Sequence, residues 1–235
     1  MKLEELLPEY PRIRHLPFRP NATRDDLIAS QNEVQIIFES DEVYIEEKID
    51  ASNCGIVFFE GHPVIRNRNH ILLKGRPKAK TSAGTQFNYI YNWFYENISK
   101  FEALEVLCEF PPTLYGEWMF ATHSVYYTAL PDYFVAFDLY SPISKYFLNT
   151  GETRMLLEEA GFATTPLLHK GKLDNWEQLE AFCQQKSEFA DSKREGIVVK
   201  TCNKERLLDR FKMVRHDFIQ GEHWSDKTIT RNKLR

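Results

Sequence analysis

The strongest constraint in this chain is a succession of short β-rich runs. Val43-Tyr44-Ile45, Cys54 to Phe59, Val64 to Arg66, Thr113 to Met119, Tyr133 to Tyr140, Gly196 to Lys200 and Arg210 to Val214 are dense in β-branched, aromatic or aliphatic residues. Runs of that length and texture predict strands. Gly61-His62-Pro63 predicts a hairpin turn between the second run and the third. Phe87, Ile90, Tyr91, Phe94, Ile98, Phe101 and Leu104 recur at helical spacing over residues 85–107, with a break predicted between Asn97 and Lys100. Glu152 to Ala160 reads as a helix closed by Gly161, Trp176 to Gln185 as another, and Asp25 to Phe38 as a weaker one. Many strands with a few interspersed helices predict an α+β fold with antiparallel sheets flanked by helices.

Size and charge narrow the class. The 235 residues, 43% hydrophobic and 27% charged, have ordinary globular composition. Residues 1–25 are rich in proline and arginine and predict an extended lead-in with turns. No internal repeat or long linker interrupts the chain, so a single domain over residues 1–235 is expected. The net charge of −4 means that a nucleic-acid partner has to be met by a local basic surface. Lys74, Arg76, Lys78 and Lys80 form one such run, and Lys227, Arg231, Lys233 and Arg235 another; solvated loops are the bland alternative. Four scattered cysteines without a Cys-x-x-Cys pair argue against a zinc ribbon and suit a reducing compartment. The N-terminus is acidic where a signal peptide is basic, and no apolar run approaches membrane-spanning length. A cytoplasmic protein without membrane contact is expected.

Lys48-Ile49-Asp50-Ala51-Ser52-Asn53 puts a lysine at the end of a predicted strand, before an aspartate and small residues. Alone, this is a solvated lysine beside a turn. Glu117 in Tyr115-Gly116-Glu117-Trp118-Met119 and Glu195 in Arg194-Glu195-Gly196-Ile197-Val198-Val199-Lys200 are carboxylates beside glycine, and each alone is ordinary surface chemistry. Their order is more specific. Lys48-x-Asp50-x-Ser52-Asn53 is followed by Arg66-x-Arg68, Gly116-Glu117, Phe137-Asp138-Leu139-Tyr140, Glu195 to Lys200, and Arg210-x-Lys212. This succession, over about residues 43–220, resembles the ordered motifs of the covalent nucleotidyltransferases: DNA ligases, RNA ligases and mRNA capping enzymes. Gly116 to Tyr140 and Lys212 to Gln220 resemble the RNA ligase branch in particular.

The resemblance implies a nucleotidyltransferase (adenylation) domain around an ATP cleft. It implies that Lys48 attacks the α-phosphate of ATP, that AMP passes to a 5′-phosphate RNA end, and that a 3′-hydroxyl then displaces it. It makes Lys48 the adenylated residue, and Asp50 and Glu195 the acidic residues around a catalytic Mg²⁺ or Mn²⁺. Glu117 corresponds to the residue on the ribose hydroxyls. Phe137 corresponds to the aromatic stacked on adenine, with Val198 on the other face. Asn53 and Arg68 correspond to residues engaging the 3′-hydroxyl side and the phosphates. Arg210 and Lys212 match the last motif, whose lysine contacts the α-phosphate, and Lys200 is expected to join them. An amine attacks phosphorus only when neutral, and a free lysine has a pKa of about 10.4. Lys200, Arg210, Lys212 or a bound metal ion are the neighbours expected to lower it.

Several alternatives stay open at this level. Arg66 lies on the same face of an extended strand as Arg68 and could be the phosphate-facing arginine. Glu46 or Glu47 could accept from the adenine amino group, Glu47 being the candidate carried with the site, or either could face solvent. Phe137 could be plain core. His123 and the His223-Trp224 pair have no assigned role. Ala51 stands where glycine is usual, which matters only if a tight turn there needs positive φ. The few residues after Lys212 are too short for the oligonucleotide-binding barrel or helical domain that such enzymes append, so the domain is expected to work alone or with a separate protein partner. A DNA or sugar-indifferent ligase, or a nucleotide-binding module without turnover, are the competing readings.

Overall fold

The computed structural model describes residues 2–17, 26–72, 82–219 and 229–235. The strands are β1 (Arg14–His15), β2 (Val43–Lys48), β3 (Ser52–Phe59), β4 (His62–Asn67), β5 (Ile71–Leu72), β6 (Thr113–Trp118), β7 (Phe134–Ser141), β8 (Tyr146–Phe147), β9 (Leu167–Lys170), β10 (Gly196–Cys202) and β11 (Leu207–Val214). They form two sheets. The first has the order β1-β11-β10-β2-β9 and the second β5-β4-β3-β6-β7-β8. All pairings are antiparallel except β1 with β11.

Strand alternation separates core from cleft. Val43 and Ile45 of β2, Ile197 and Val199 of β10, and Phe211 and Met213 of β11 pack with Val34 and Ile37 of the helix Gln31–Glu39 and Leu179 of the helix Trp176–Cys183. The intervening residues Glu46, Lys48, Val198, Lys200 and Lys212 therefore face a cleft between the sheets. In the second sheet Ile56, Leu114, Trp118, Phe134 and Leu139 pack against the helices Ile90–Glu96, Ile98–Cys108 and Thr150–Glu159. Asn53, Glu117 and Phe137 are left on the cleft side.

The predicted helix over 85–107 opens as a 3-10 turn, Gln86–Tyr89, and breaks at Asn97 as expected. The expected hairpin turn is shifted. Glu60 and Gly61 make it, both with positive φ, and His62 already belongs to β4. The remaining non-glycine residues with positive φ among those described are Glu109 and Lys145, so Ala51 carries no left-handed strain. The short strands β1, β5, β8 and β9 have no pattern that sequence periodicity detects.

The lead-in is a strap that crosses from one sheet to the other. Its Leu6, Leu7 and Pro8 carbonyls accept from Thr113, Arg66 and Tyr115 of the second sheet. Its far end pairs with β11, where Leu16 N donates to Lys212 O. At the other end of the chain, Asn232 is buried and staples the loop 119–130, donating to Met119 O and Ala121 O and accepting from Thr122 Oγ1 and Tyr127 N. Arg231, expected in a basic patch, stacks over Phe120. The run Lys74 to Lys80, Lys227 and the His223-Trp224 pair lie outside the described residues. All four cysteines are free, and no described helix is long and apolar enough to cross a membrane.

Candidate active site

Lys48 ends β2 opposite Gly196, the first residue of β10. This pairing brings its ammonium beside the preceding residue, Glu195, with Nζ 2.7 Å from Oε2. Glycine is required after that glutamate, because a Cβ at Gly196 would lie 2.0 Å from Met213 O. Asp50 is fixed from behind: Ser124 N and Val125 N donate to its Oδ2, and its own N–H donates to the Tyr127 hydroxyl. Across the cleft, Glu117 of β6 pairs with Asn53 of β3, whose side chain hydrogen-bonds to it. Glu117 Oε2 has no partner among the described residues. Lys212 lines the same cleft and bonds to Asp26 at 3.1 Å, and Arg68 lines it from an exposed position just beyond β4.

Three carboxylates thus surround one amine. Burial pulls the Lys48 pKa down, but Glu195, Asp50 and Glu117 outweigh it and the net direction is up. Burial pushes Glu117 up to about 8 against the pull of Lys48. Burial also raises Glu195, again with Lys48 opposing. Lys212 is lowered by burial and by the charge of Lys48, with Asp26 resisting. This corrects the expectation of a cation-dominated surround. In the free protein Lys48 is held as an ammonium.

The correction follows from where Lys200 and Arg210 sit. Lys200 Nζ lies 2.5 Å from Glu46 and 2.8 Å from Asp138. Arg210 Nε donates to the second oxygen of Asp138 at 2.8 Å, and the Tyr10 hydroxyl to the same oxygen at 2.6 Å. Arg154 holds the other oxygen of Glu46 at 3.2 Å. Lys200 is only 1% exposed. Burial alone would raise the Asp138 pKa, but Lys200 and Arg210 outweigh it and hold it below the usual carboxylate value. Lys200, expected on the phosphates, lines the cleft, but its ammonium and the Arg210 Nε are bound in this buried network.

The other expected residues divide as follows. Lys48, Asn53, Arg68, Glu117, Phe137, Val198 and Lys212 line one cleft. Phe137 is turned into it by a β-bulge: Tyr115 pairs with Asp138 and Gly116 with Ala136, leaving Phe137 unpaired. Arg66 is buried and spends its guanidinium on Leu7 O and Glu9, so Arg68 is the arginine free to face the cleft. Glu47 also borders the cleft, but its carboxylate is not directed into it. Its side chain lies on the far face of β2, where it accepts from Ser187 Oγ and Glu188 N. Sequence reasoning missed Tyr10, Pro11 and Ile13 of the strap and Thr165, all of which line the cleft. Asp138 stood in plain view beside Phe137 but had no assigned role.

Among the described residues no group of three or more His, Cys, Asp or Glu is arranged to hold a metal. The two carboxylates Asp50 and Glu195 nevertheless fit a hydrated Mg²⁺ or Mn²⁺, since Mg²⁺ keeps most of its waters and takes one or two protein oxygens. Tight packing of Asp50 by backbone amides leaves its Oδ1 for that purpose.

A lysine at a strand end, ringed by carboxylates, thus lies in a cleft between the two sheets. The RNA ligase family matches residues 41–214, and the chain belongs to that family. Solved structures agree on the fold. A Naegleria gruberi RNA ligase with pyrophosphate superposes with a TM-score of 0.58 at 20% identity, covering 84% of this chain and 57% of that one. A variant of it with ATP and manganese gives 0.56 at 18%, covering 84% and 57%. Another, with AMP and manganese, gives 0.57 at 19%, covering 88% and 61%. This chain therefore spans about 57% of the length of the first of these ligases. A comparison with curated proteins finds no match.

Proposed function

We propose that the protein is an ATP-dependent RNA ligase joining 5′-phosphate and 3′-hydroxyl ends. The neutral amine of Lys48 attacks the α-phosphate of ATP, forming a P–N bond as the bond to pyrophosphate breaks. AMP then passes to the oxygen of a 5′-phosphate, restoring the lysine. The 3′-hydroxyl finally attacks that 5′-phosphorus, forming the phosphodiester and releasing AMP. The observation that carries this reading is the 2.7 Å contact of Lys48 Nζ with Glu195 in a carboxylate-lined cleft.

Each residue has a task in this scheme. Phe137 and Val198 enclose the adenine, and Glu117, with its free oxygen, takes the ribose hydroxyls. Lys212 meets the α-phosphate, Arg68 the phosphates and Asn53 the 3′-hydroxyl side. Lys200 and Arg210 act at one remove: they pin Asp138, and Lys200 also donates to Phe137 O. A divalent cation held by Asp50 and Glu195 supplies charge neutralisation at the phosphates and draws carboxylate charge away from the amine. The ATP, AMP and manganese of the Naegleria ligase structures support the choice of nucleotide and metal.

The test is intact mass after incubation with ATP and Mg²⁺. A covalent adduct of one AMP, lost in Lys48→Ala, is expected; no adduct in the wild type would reduce the protein to a nucleotide-binding module. Comparison of all-RNA, all-DNA and mixed nicks then checks the sugar preference, with all-RNA sealed fastest.

A further inference from the structure

Residues 163–167 join the two sheets beside the cleft, and Thr165 of this segment lines it. Ala136 N donates to Ala163 O and Thr165 N to Ala136 O, beside Phe137. On the other side Glu47 N donates to Pro166 O, and Leu167 pairs with Glu46, which lies opposite Val198 in the ladder. Thr165 therefore stands between the strand that carries Phe137 and the pair of strands that carries Val198. It lines the cleft, is 4% exposed, and its Oγ1 has no hydrogen-bond partner among the described residues. Its surroundings are otherwise satisfied: Arg154 donates to Thr165 O at 2.7 Å and to Thr164 Oγ1 at 3.1 Å. A buried hydroxyl without a partner is a cost that the free protein carries. Thr153 and Thr201 are buried and unpartnered too, but neither lines the cleft.

We propose that Thr165 is a specificity-determining residue for the nucleotide base. When the ring lies between Phe137 and Val198, its edge meets this segment, and Thr165 Oγ1 accepts a hydrogen bond from the 6-amino group of adenine. The inference rests on the ligase reading. A purine without that amino group leaves the hydroxyl unpaired, and sites built around a hydrogen bond reject such analogues.

The test measures the nucleotide concentration for half-maximal Lys48 adduct formation by the full chain. ATP is compared with purine riboside triphosphate, which lacks the 6-amino group. The wild type is expected to need about tenfold more of the purine analogue, the equivalent of one hydrogen bond. Thr165→Val should need as much ATP as analogue, and more ATP than the wild type. Its melting temperature without nucleotide should equal or exceed that of the wild type, because an unpaired hydroxyl has been replaced by a methyl. Thr201→Val should discriminate like the wild type. Wild-type discrimination in Thr165→Val would overturn the proposal, as would a lowered melting temperature of that variant without nucleotide, which would reveal a partner inside the protein. No adduct from either nucleotide in the wild type would overturn the ligase reading itself, and the proposal with it.

Discussion

Two charge clusters line the same cleft and follow opposite rules. Around Lys200, Glu46, Asp138, Arg154 and Arg210 alternate in sign, and every charge has a partner within 3.2 Å. Around Lys48, three carboxylates share one amine, Glu117 keeps an unpartnered oxygen, and pKa values are pushed up instead of being balanced. A closed cluster fixes geometry, and among the described residues it leaves only Arg210 Nη2 without a partner. An open one stores unmet electrostatic demand, which a cationic partner can meet. Both were visible in the sequence as basic residues at strand positions. Only their neighbours, drawn from distant strands, tell them apart.

Removing the central lysine from each cluster should therefore have opposite consequences. Lys48→Ala should abolish the AMP adduct, a loss of at least about a thousandfold by intact mass, since no other amine replaces a covalent nucleophile. Its fold should survive, because Glu195 and Glu117, whose pKa values burial already raises, can take up a proton once the amine is gone. Lys200→Ala leaves Glu46 and Asp138 with unbalanced buried charge and should cost about 3–5 kcal/mol in urea unfolding. Wild-type stability in Lys200→Ala would show that the closed cluster does not hold the sheets.

The pH response separates the clusters next. Glu117 has a folded pKa near 8, against an ordinary value of 4.5. Between those values the folded state holds a proton that the unfolded state has lost. Its contribution to stability is thus complete below about 4.5 and is lost as pH rises through 8. The loss should be about 1–3 kcal/mol, less than the full shift implies because the residue is partly exposed and Lys48 is near. Glu117→Gln should flatten the stability profile across that range and leave the variant more stable than the wild type at its alkaline end. Parallel profiles for the two proteins would place the titration elsewhere.

What was legible in the sequence and what was not follows from range. The longer strands of both sheets and the break at Asn97 were readable because periodicity is local. The motif order pointed to a common cleft because each motif sits on a strand or directly beside one. Glu46 and Glu47 could not be told apart in the sequence, yet one residue along a strand means the opposite face, and the Glu47 carboxylate points away from the cleft. The hairpin turn slipped by a similar step, since Glu60 takes a conformation that glycine favours. The strap, the staple by Asn232 and the role of Thr165 were beyond local reading. Their partners lie 57 residues away or more for the first two, and for Thr165 the signal is the lack of a partner.

Arg68 gives the smallest contrast. It lines the cleft from an exposed position, while Arg66 is spent on the strap. An exposed guanidinium gains little from any one contact but can steer phosphate oxygens through its planar fork. Its proposed task concerns the RNA ends more than the attachment of AMP to Lys48. Arg68→Ala should therefore slow sealing of a preadenylylated nick by about tenfold, one charge-assisted hydrogen bond in the transition state, and change adduct formation by less than that. Single-turnover rates of the two steps measure this separately. An equal loss in both would make Arg68 part of the nucleotide site, and the open cluster would then extend from Lys48 to the rim of the cleft.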